Sequence, residues 1–135
     1  MEQNKTMNYL ITIFITLTIG FTSNVAAEWV EAGTYKDGGT AYIEMDTIKK
    51  ADGFVYYWTM GDYLVPTEYG DLSGQVYSQG DCNKKRIKTL SYVWFKRNMG
   101  RGDAEQEASE NKNWKYPSPN TMMLSMLNQV CSYID

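Results

Sequence analysis

The sequence predicts an α+β fold, a mostly antiparallel sheet with one helix at its C-terminal end. Short runs rich in aromatic and β-branched residues recur between turn clusters, as Phe54 to Tyr63 does between Gly53 and Pro66. The last segment then changes period, with Leu124, Leu127, Val130, Cys131 and Ile134 at helical spacing. The two cysteines, Cys82 and Cys131, fall on either side of that change and would tie the helix to the sheet.

Before the first strand comes a segment of another kind. Lys5 lies in a short polar start, an apolar run extends from Tyr9 to Phe21, and Val25-Ala26-Ala27 precede Glu28. This is the three-part pattern of a signal peptide, with small residues where a signal peptidase reads. The apolar run is about a dozen residues, broken by Thr12, Thr16, Thr18 and Gly20, short of the roughly 20 that a membrane span requires. Either Met1 or Met7 serves as a start without moving the cleavage site. Two regions are therefore expected: a signal peptide, 1–27, and one domain, 28–135. Export to the periplasm or the medium follows, with no membrane span in the mature chain, and Glu28 stands where a lipoprotein would carry its acylated cysteine.

Trp29 to Tyr35 and Thr40 to Met45 flank the turn cluster Lys36-Asp37-Gly38-Gly39 and read as a hairpin. Asp46 to Lys50 opens on a good N-cap residue and predicts a short helical turn before Asp52-Gly53. Phe54 to Tyr63 reads as a central strand, Leu64 to Gly70 as a loop, and Leu72 to Gln79 and Lys85 to Lys96 as two further strands. Asn98 to Gly102 supplies a turn. Asp103 to Glu110 has helix-favouring residues, yet a strand there would complete a meander. For the final helix, Ser118 is the expected cap and Pro119 the first helical residue.

Composition limits the chemistry. The chain has no histidine, which removes the usual general base, the usual zinc ligand and any Ser-His or Cys-His pair. Two cysteines in an exported chain pair by default, and closing a loop of about 50 residues favours the folded state by about 4 kcal/mol. Carboxylate-only hydrolysis stays formally open and would need a concave pocket with two facing carboxyls. The mature chain keeps 12 basic and 15 acidic residues, so no broad basic stripe exists for nucleic acid. No cofactor or metal is expected.

Two features invite a partner, and two more bear on one. Lys84, Lys85 and Arg86 form, with Lys88, the one dense basic cluster; on an extended strand Lys84, Arg86 and Lys88 share a face opposite Lys85 and Ile87. Arg101-Gly102-Asp103 spells a tripeptide displayed by integrin ligands, at an expected turn. The loop from Pro66 to Asp71 is acidic and offers an anionic host ligand no complementary charge. Tyr42, Tyr56, Trp58, Tyr92 and Trp94 alternate along strands and are expected to pack as core filler rather than to be displayed.

The order of these features resembles a known family. A Trp soon after the signal peptide, Tyr-Ile-Glu-Met-Asp-Thr-Ile at 42 to 48, an aromatic strand ending in Asp62-Tyr63, Asp81-Cys82, Met99-Gly100, Trp114, Pro117-Ser118 and a closing Val130-Cys131 are similar to the surface-adhesin protein E family. These are small exported bacterial proteins named after an adhesin that binds host matrix and serum proteins. The resemblance implies a six-stranded antiparallel sheet with a C-terminal helix, a Cys82–Cys131 disulfide, no enzymatic activity and a possible homodimer. The expected function is thus a non-catalytic exported binding protein with a protein partner. The alternative is a periplasmic protein of housekeeping or inhibitory role that binds another envelope protein, with the hairpin near Gly100 to Asp103 as its contact.

Overall fold

The computed structural model describes residues 27–135, so the expected signal peptide lies outside the described residues except for Ala27. Seven strands and one helix follow in order: β1 (Trp29–Thr34), β2 (Thr40–Glu44), β3 (Lys49–Ala51), β4 (Phe54–Asp62), β5 (Ser73–Asp81), β6 (Arg86–Arg97), β7 (Arg101–Ala108) and α1 (Met122–Ile134). The sheet order is β1-β2-β4-β5-β6-β7, antiparallel throughout, with β3 also paired to β4.

Strand β3, one more than the six expected, is a departure from expectation. The helical turn predicted over Asp46 to Lys50 is confined to a single 3-10 turn at Met45–Thr47, and Lys49–Ala51 instead pairs with Phe54–Tyr56. The reason lies in Asp52-Gly53: with φ of 52° and 81° they make a tight reversal, which returns the chain antiparallel onto β4. β2 and β3 thus share one side of β4, β2 against Thr59–Asp62 and β3 against its opposite end.

Asp103 to Glu110 resolves as strand as far as Ala108, its backbone hydrogen-bonded to Ser91–Phe95. Ladder pairing outweighs the helix preference of Ala, Glu and Gln. The cap of α1 also differs from expectation. Thr121, not Ser118, accepts the Leu124 N–H at 3.3 Å, and the Thr121 hydroxyl donates to the Ser118 carbonyl at 2.7 Å. Asn120 has a φ of 62°, which breaks the chain direction after Pro119 and excludes that proline from the first helical turn.

α1 covers one face of the sheet. Ile43, Val55, Tyr57 and Ile87 from the strands close with Leu127, Val130 and Cys131 of the helix into one buried cluster. Gly80 allows the close approach: a Cβ there would stand 2.7 Å from Leu127 Cδ1 and 2.9 Å from Val55 Cγ2. The Cys82–Cys131 disulfide, with Cα atoms 5.9 Å apart, fixes the helix to the end of β5. At the β1 edge the helix also supplies Gln129, whose Nε2 donates to the Ala32 carbonyl at 3.2 Å.

Strand β6 contains an irregularity with consequences for the surface. Its register against β5 slips between Tyr77↔Ser91 and Ser78↔Thr89, leaving Leu90 as an extra residue. Ile87 and Thr89 face the helix side below this bulge, while above it Tyr92 and Trp94 take that side, opposite Val76 and Gly74. Tyr42, Tyr56 and Trp58 face away from the helix, so the five aromatics expected to be packed are divided between two faces. All five are half-buried rather than enclosed.

Candidate functional site

The expected partner residues fall at opposite ends of β6. Lys84 and Lys85 form the β5–β6 turn and Arg86 opens β6; Arg101 and Asp103 start β7 beyond the other turn. A 12-residue strand separates them, about 35 Å at the usual rise, so they make no common site. Two of the three cationic side chains, Lys85 and Arg86, are held by their own neighbourhood, and Lys84 is held at its backbone. The Asp81 carboxylate accepts the Lys84 N–H at 3.1 Å and Arg86 Nε at 2.9 Å, Lys85 Nζ reaches Asn128 Oδ1 at 2.9 Å, and the Arg86 guanidinium lies 4.2 Å from the Trp114 ring centroid. The Lys84 N–H foremost, and then Arg86, hold the Asp81 carboxyl below its ordinary pKa. Lys85 does point away from Arg86, as strand alternation predicts, but through a left-handed turn residue with φ of 52°.

Arg101 to Asp103 begin an edge strand rather than ride on a turn tip. All eight residues of β7 are exposed, and no strand pairs with its outer side among the described residues. Its position is set by a polar lock at the β6–β7 turn. Asp62 Oδ1 accepts Asn98 Nδ2 at 3.0 Å and the Met99 N–H at 2.7 Å, while fully buried Ser73 accepts the Gly100 N–H at 2.9 Å and donates to the Arg97 carbonyl at 2.6 Å.

On the helix side, β7 walls a pocket of about 490 Å³ lined by Thr67, Glu68, Tyr69, Asp71, Trp94, Glu105 and Glu107. Glu105 and Glu107 face Trp94 and Tyr92 across the β6–β7 ladder, and Trp94 Nε1 donates to Glu107 Oε1 at 2.9 Å. The acidic loop over the pocket is latched by Lys96, whose Nζ meets Asp71 Oδ1 at 2.7 Å and the Tyr69 carbonyl at 2.8 Å. This is the concave, carboxylate-lined pocket that a hydrolase would require, but Asp71 is paired with Lys96 and Glu107 with Trp94. Glu68 and Glu105, the remaining two, are exposed and lack the apolar surroundings of a general acid. The arrangement of four carboxylates around an indole is suited to a cationic side chain.

Sequence reasoning missed Trp94, Glu105 and Glu107 as pocket residues. Alternate acids at 103, 105 and 107 are the signal, readable once the segment is known to be a strand. Among the described residues no group of three or more Cys, Asp or Glu could hold a metal ion, and no helix is long and apolar enough to cross a membrane.

An antiparallel sheet covered by one helix and tied to it by one disulfide, with an edge strand unpaired among the described residues, defines an α+β domain. Residues 29–132 match the family model described as surface-adhesin protein E, and the chain belongs to that family. Among solved structures, the selenomethionine form of Haemophilus influenzae protein E superposes with a TM-score of 0.57 at 14% identity, over 81% of this chain and 89% of that one. Crystal form II of the same protein gives 0.56 at 13%, over 81% and 91%. Protein E from non-typeable Haemophilus influenzae gives 0.57 at 13%, over 82% and 79%. At these identities the likeness shows a shared fold. No curated protein matches the chain.

Proposed function

We propose that the protein is a non-catalytic, exported adhesin-like binding domain, cleaved before Glu28, that takes up a partner polypeptide along the outer edge of β7. One observation carries this reading: an eight-residue edge strand, exposed along its whole length and held by polar contacts at its turn, beside a pocket of acids and an indole. An open edge offers its backbone N–H and C=O groups to an added strand. Side chains of that strand on the helix side would lie about 5 Å from Glu105 and Glu107, where opposite charge is favoured. The partner segment is therefore extended and basic. Membership of the adhesin family supports a host matrix or serum protein as its source. A second copy is a poorer fit, because antiparallel self-pairing of β7 sets Asp103, Glu105 and Glu107 against one another.

The test is binding of the purified protein to immobilised matrix and serum proteins, with Glu105→Lys and Glu107→Lys combined. At least a tenfold loss in the double variant is expected; unchanged binding would show that β7 is not the contact. Protease treatment of intact cells distinguishes the two origins of the partner. Loss of the protein supports adhesion, while recovery solely from the periplasm transfers the reading to another envelope protein as partner.

A further inference from the structure

Among the described residues the sheet face away from α1 is covered by no α-helix, only at one end by the 3-10 turn Asn98–Gly100, and its side chains are organised in rows that β7 and its pocket do not use. Trp58 stacks on Tyr77 with ring centroids 4.9 Å apart, and Tyr56 adjoins Tyr77 at 6.4 Å. All three rings are half-buried, so mutual stacking holds them in place while part of each meets solvent. The adjacent cross-strand row reads Lys49, Tyr56, Gln79, Lys88, one residue from each of β3, β4, β5 and β6. Three strand spacings place its two lysines about 14 Å apart at Cα. Neither has a carboxylate partner among the described residues. Lys88 lies 4.5 Å from the Trp114 ring centroid, which also meets Phe54 at 5.4 Å and closes this corner of the face.

Charge is divided between the two faces. Glu68, Asp71, Glu105 and Glu107 line the pocket on the helix side. On the aromatic face Asp81 is occupied by Arg86, Asp62 at the far end of β4 by Asn98 and the Met99 N–H, and of the β1–β2 acids Glu31 lies opposite Tyr42 while buried Glu44 ends β2 at the level of Trp58. The centre of the face thus offers fixed rings, the amide of Gln79, and two ammonium groups that have no carboxylate partner among the described residues. Rings accept the C–H faces of a sugar, amides pair with hydroxyls, and ammonium groups select carboxylates.

We propose that this face binds an acidic polysaccharide, a uronic-acid chain lying across Tyr56, Trp58 and Tyr77 with its carboxylates against Lys49 and Lys88. The test titrates the purified protein with polygalacturonate and follows tryptophan fluorescence, with dextran as neutral control and polyglutamate as anionic polypeptide control. Saturable quenching by polygalacturonate alone is expected. Lys49→Gln with Lys88→Gln should raise the half-saturation point about tenfold and flatten its salt dependence. Tyr56→Leu should weaken binding with the salt dependence retained. Thermal midpoints confirm that each variant is folded, and the two lysine changes remove no ion pair among the described residues, only the cation–π contact of Lys88 with Trp114. An equal response to dextran, an equal response to polyglutamate, or none to polygalacturonate overturns the proposal. So does light scattering that shows a dimer dispersed by Trp58→Lys, which would give the face to a second copy.

Discussion

Trp94 rests against Gly74, its partner across the β5–β6 ladder: a Cβ on Gly74 would stand 2.8 Å from Trp94 Cζ3 and 2.9 Å from Cε3. Gly61, paired with Gly74 on the other side, is covered in the same way by Tyr63, whose Cε1 would lie 2.8 Å from an added Cβ. The two glycines let large rings settle on the sheet beyond the reach of α1, and the indole so placed forms a wall of the acidic pocket.

Gly74→Ala should therefore displace the indole and break its hydrogen bond to Glu107. Overpacking of this kind costs about 1–3 kcal/mol, a fall in thermal midpoint of roughly 5–15 °C for a domain of this size. The tryptophan emission should shift red as Trp94 meets water. An unchanged midpoint and spectrum would show that the contact does not constrain the ring.

The disulfide prediction rests on chain entropy. Cys82 and Cys131 close a loop with a sequence separation of 49, so Cys82→Ser should remove about 4 kcal/mol and lower the midpoint by roughly 15 °C or more. Thermal unfolding with and without reductant measures this. Reductant should affect the parent protein and leave the variant unchanged.

Much of this fold was legible because the physics that fixes it is local. Asp37-Gly38-Gly39 marks the first hairpin, the aromatic run of β4 marks a central strand, and the 3.6-residue period of Leu124, Leu127, Val130 and Cys131 marks the helix face. What escaped depends on tertiary partners. The Leu90 bulge inverts which residues of β6 face the helix, and nothing in the run from Lys85 to Lys96 marks it. β7 has helix-favouring residues and is a strand because β6 is there to pair with. Arg86 looked like a displayed charge because Asp81 and Trp114 meet it only through the turn at Asn83–Lys85 and the return of the segment around Lys115 to Ile87.

Acid should destabilise the domain partly through Asp81. The amide N–H of Lys84 and the Arg86 guanidinium favour its charged form, so the folded pKa lies below the unfolded value near 4. A depressed carboxyl contributes stability that is present above the unfolded pKa and lost as pH falls through the folded one. Thermal midpoints should decline as pH drops below about 4. Asp81→Asn should flatten that decline and weaken the fold at pH 7 by about 1–2 kcal/mol; a decline of equal steepness in the variant would assign the acid sensitivity elsewhere.

Alkali acts in the opposite sense on the tyrosines. Burial raises the pKa of Tyr57, and to a lesser degree those of Tyr35 and Tyr63, above the unfolded value near 10. Their contribution is complete below the unfolded pKa and is lost as pH rises above it towards the folded values. Stability should hold to about pH 10 and then fall. Tyr57→Phe, with no phenol to ionise, should make the fall shallower, and chemical denaturation at pH 9 and 11 checks it.

The edge strand should depend on Asp62 more than on any residue of β7. Its Oδ1 holds both Asn98 Nδ2 and the Met99 N–H, and those residues set the turn in which Met99 and Gly100 adopt φ of 58° and 65°. A left-handed Met is unfavourable by itself, so the carboxylate sustains a conformation the turn would otherwise leave. Asp62→Ala removes a charge-assisted bond of about 1.5–3 kcal/mol. Amide exchange in Arg101–Ala108 should accelerate about tenfold or more while Leu127 and Val130 in α1 keep their protection. If β7 takes up a partner polypeptide as proposed, its binding should weaken in parallel, since an edge that opens part of the time presents its hydrogen-bonding groups only in the remainder. Exchange that accelerates equally in β7 and α1 would mean that Asp62 supports the whole domain rather than this hairpin. Faster exchange with undiminished binding would separate β7 from the contact.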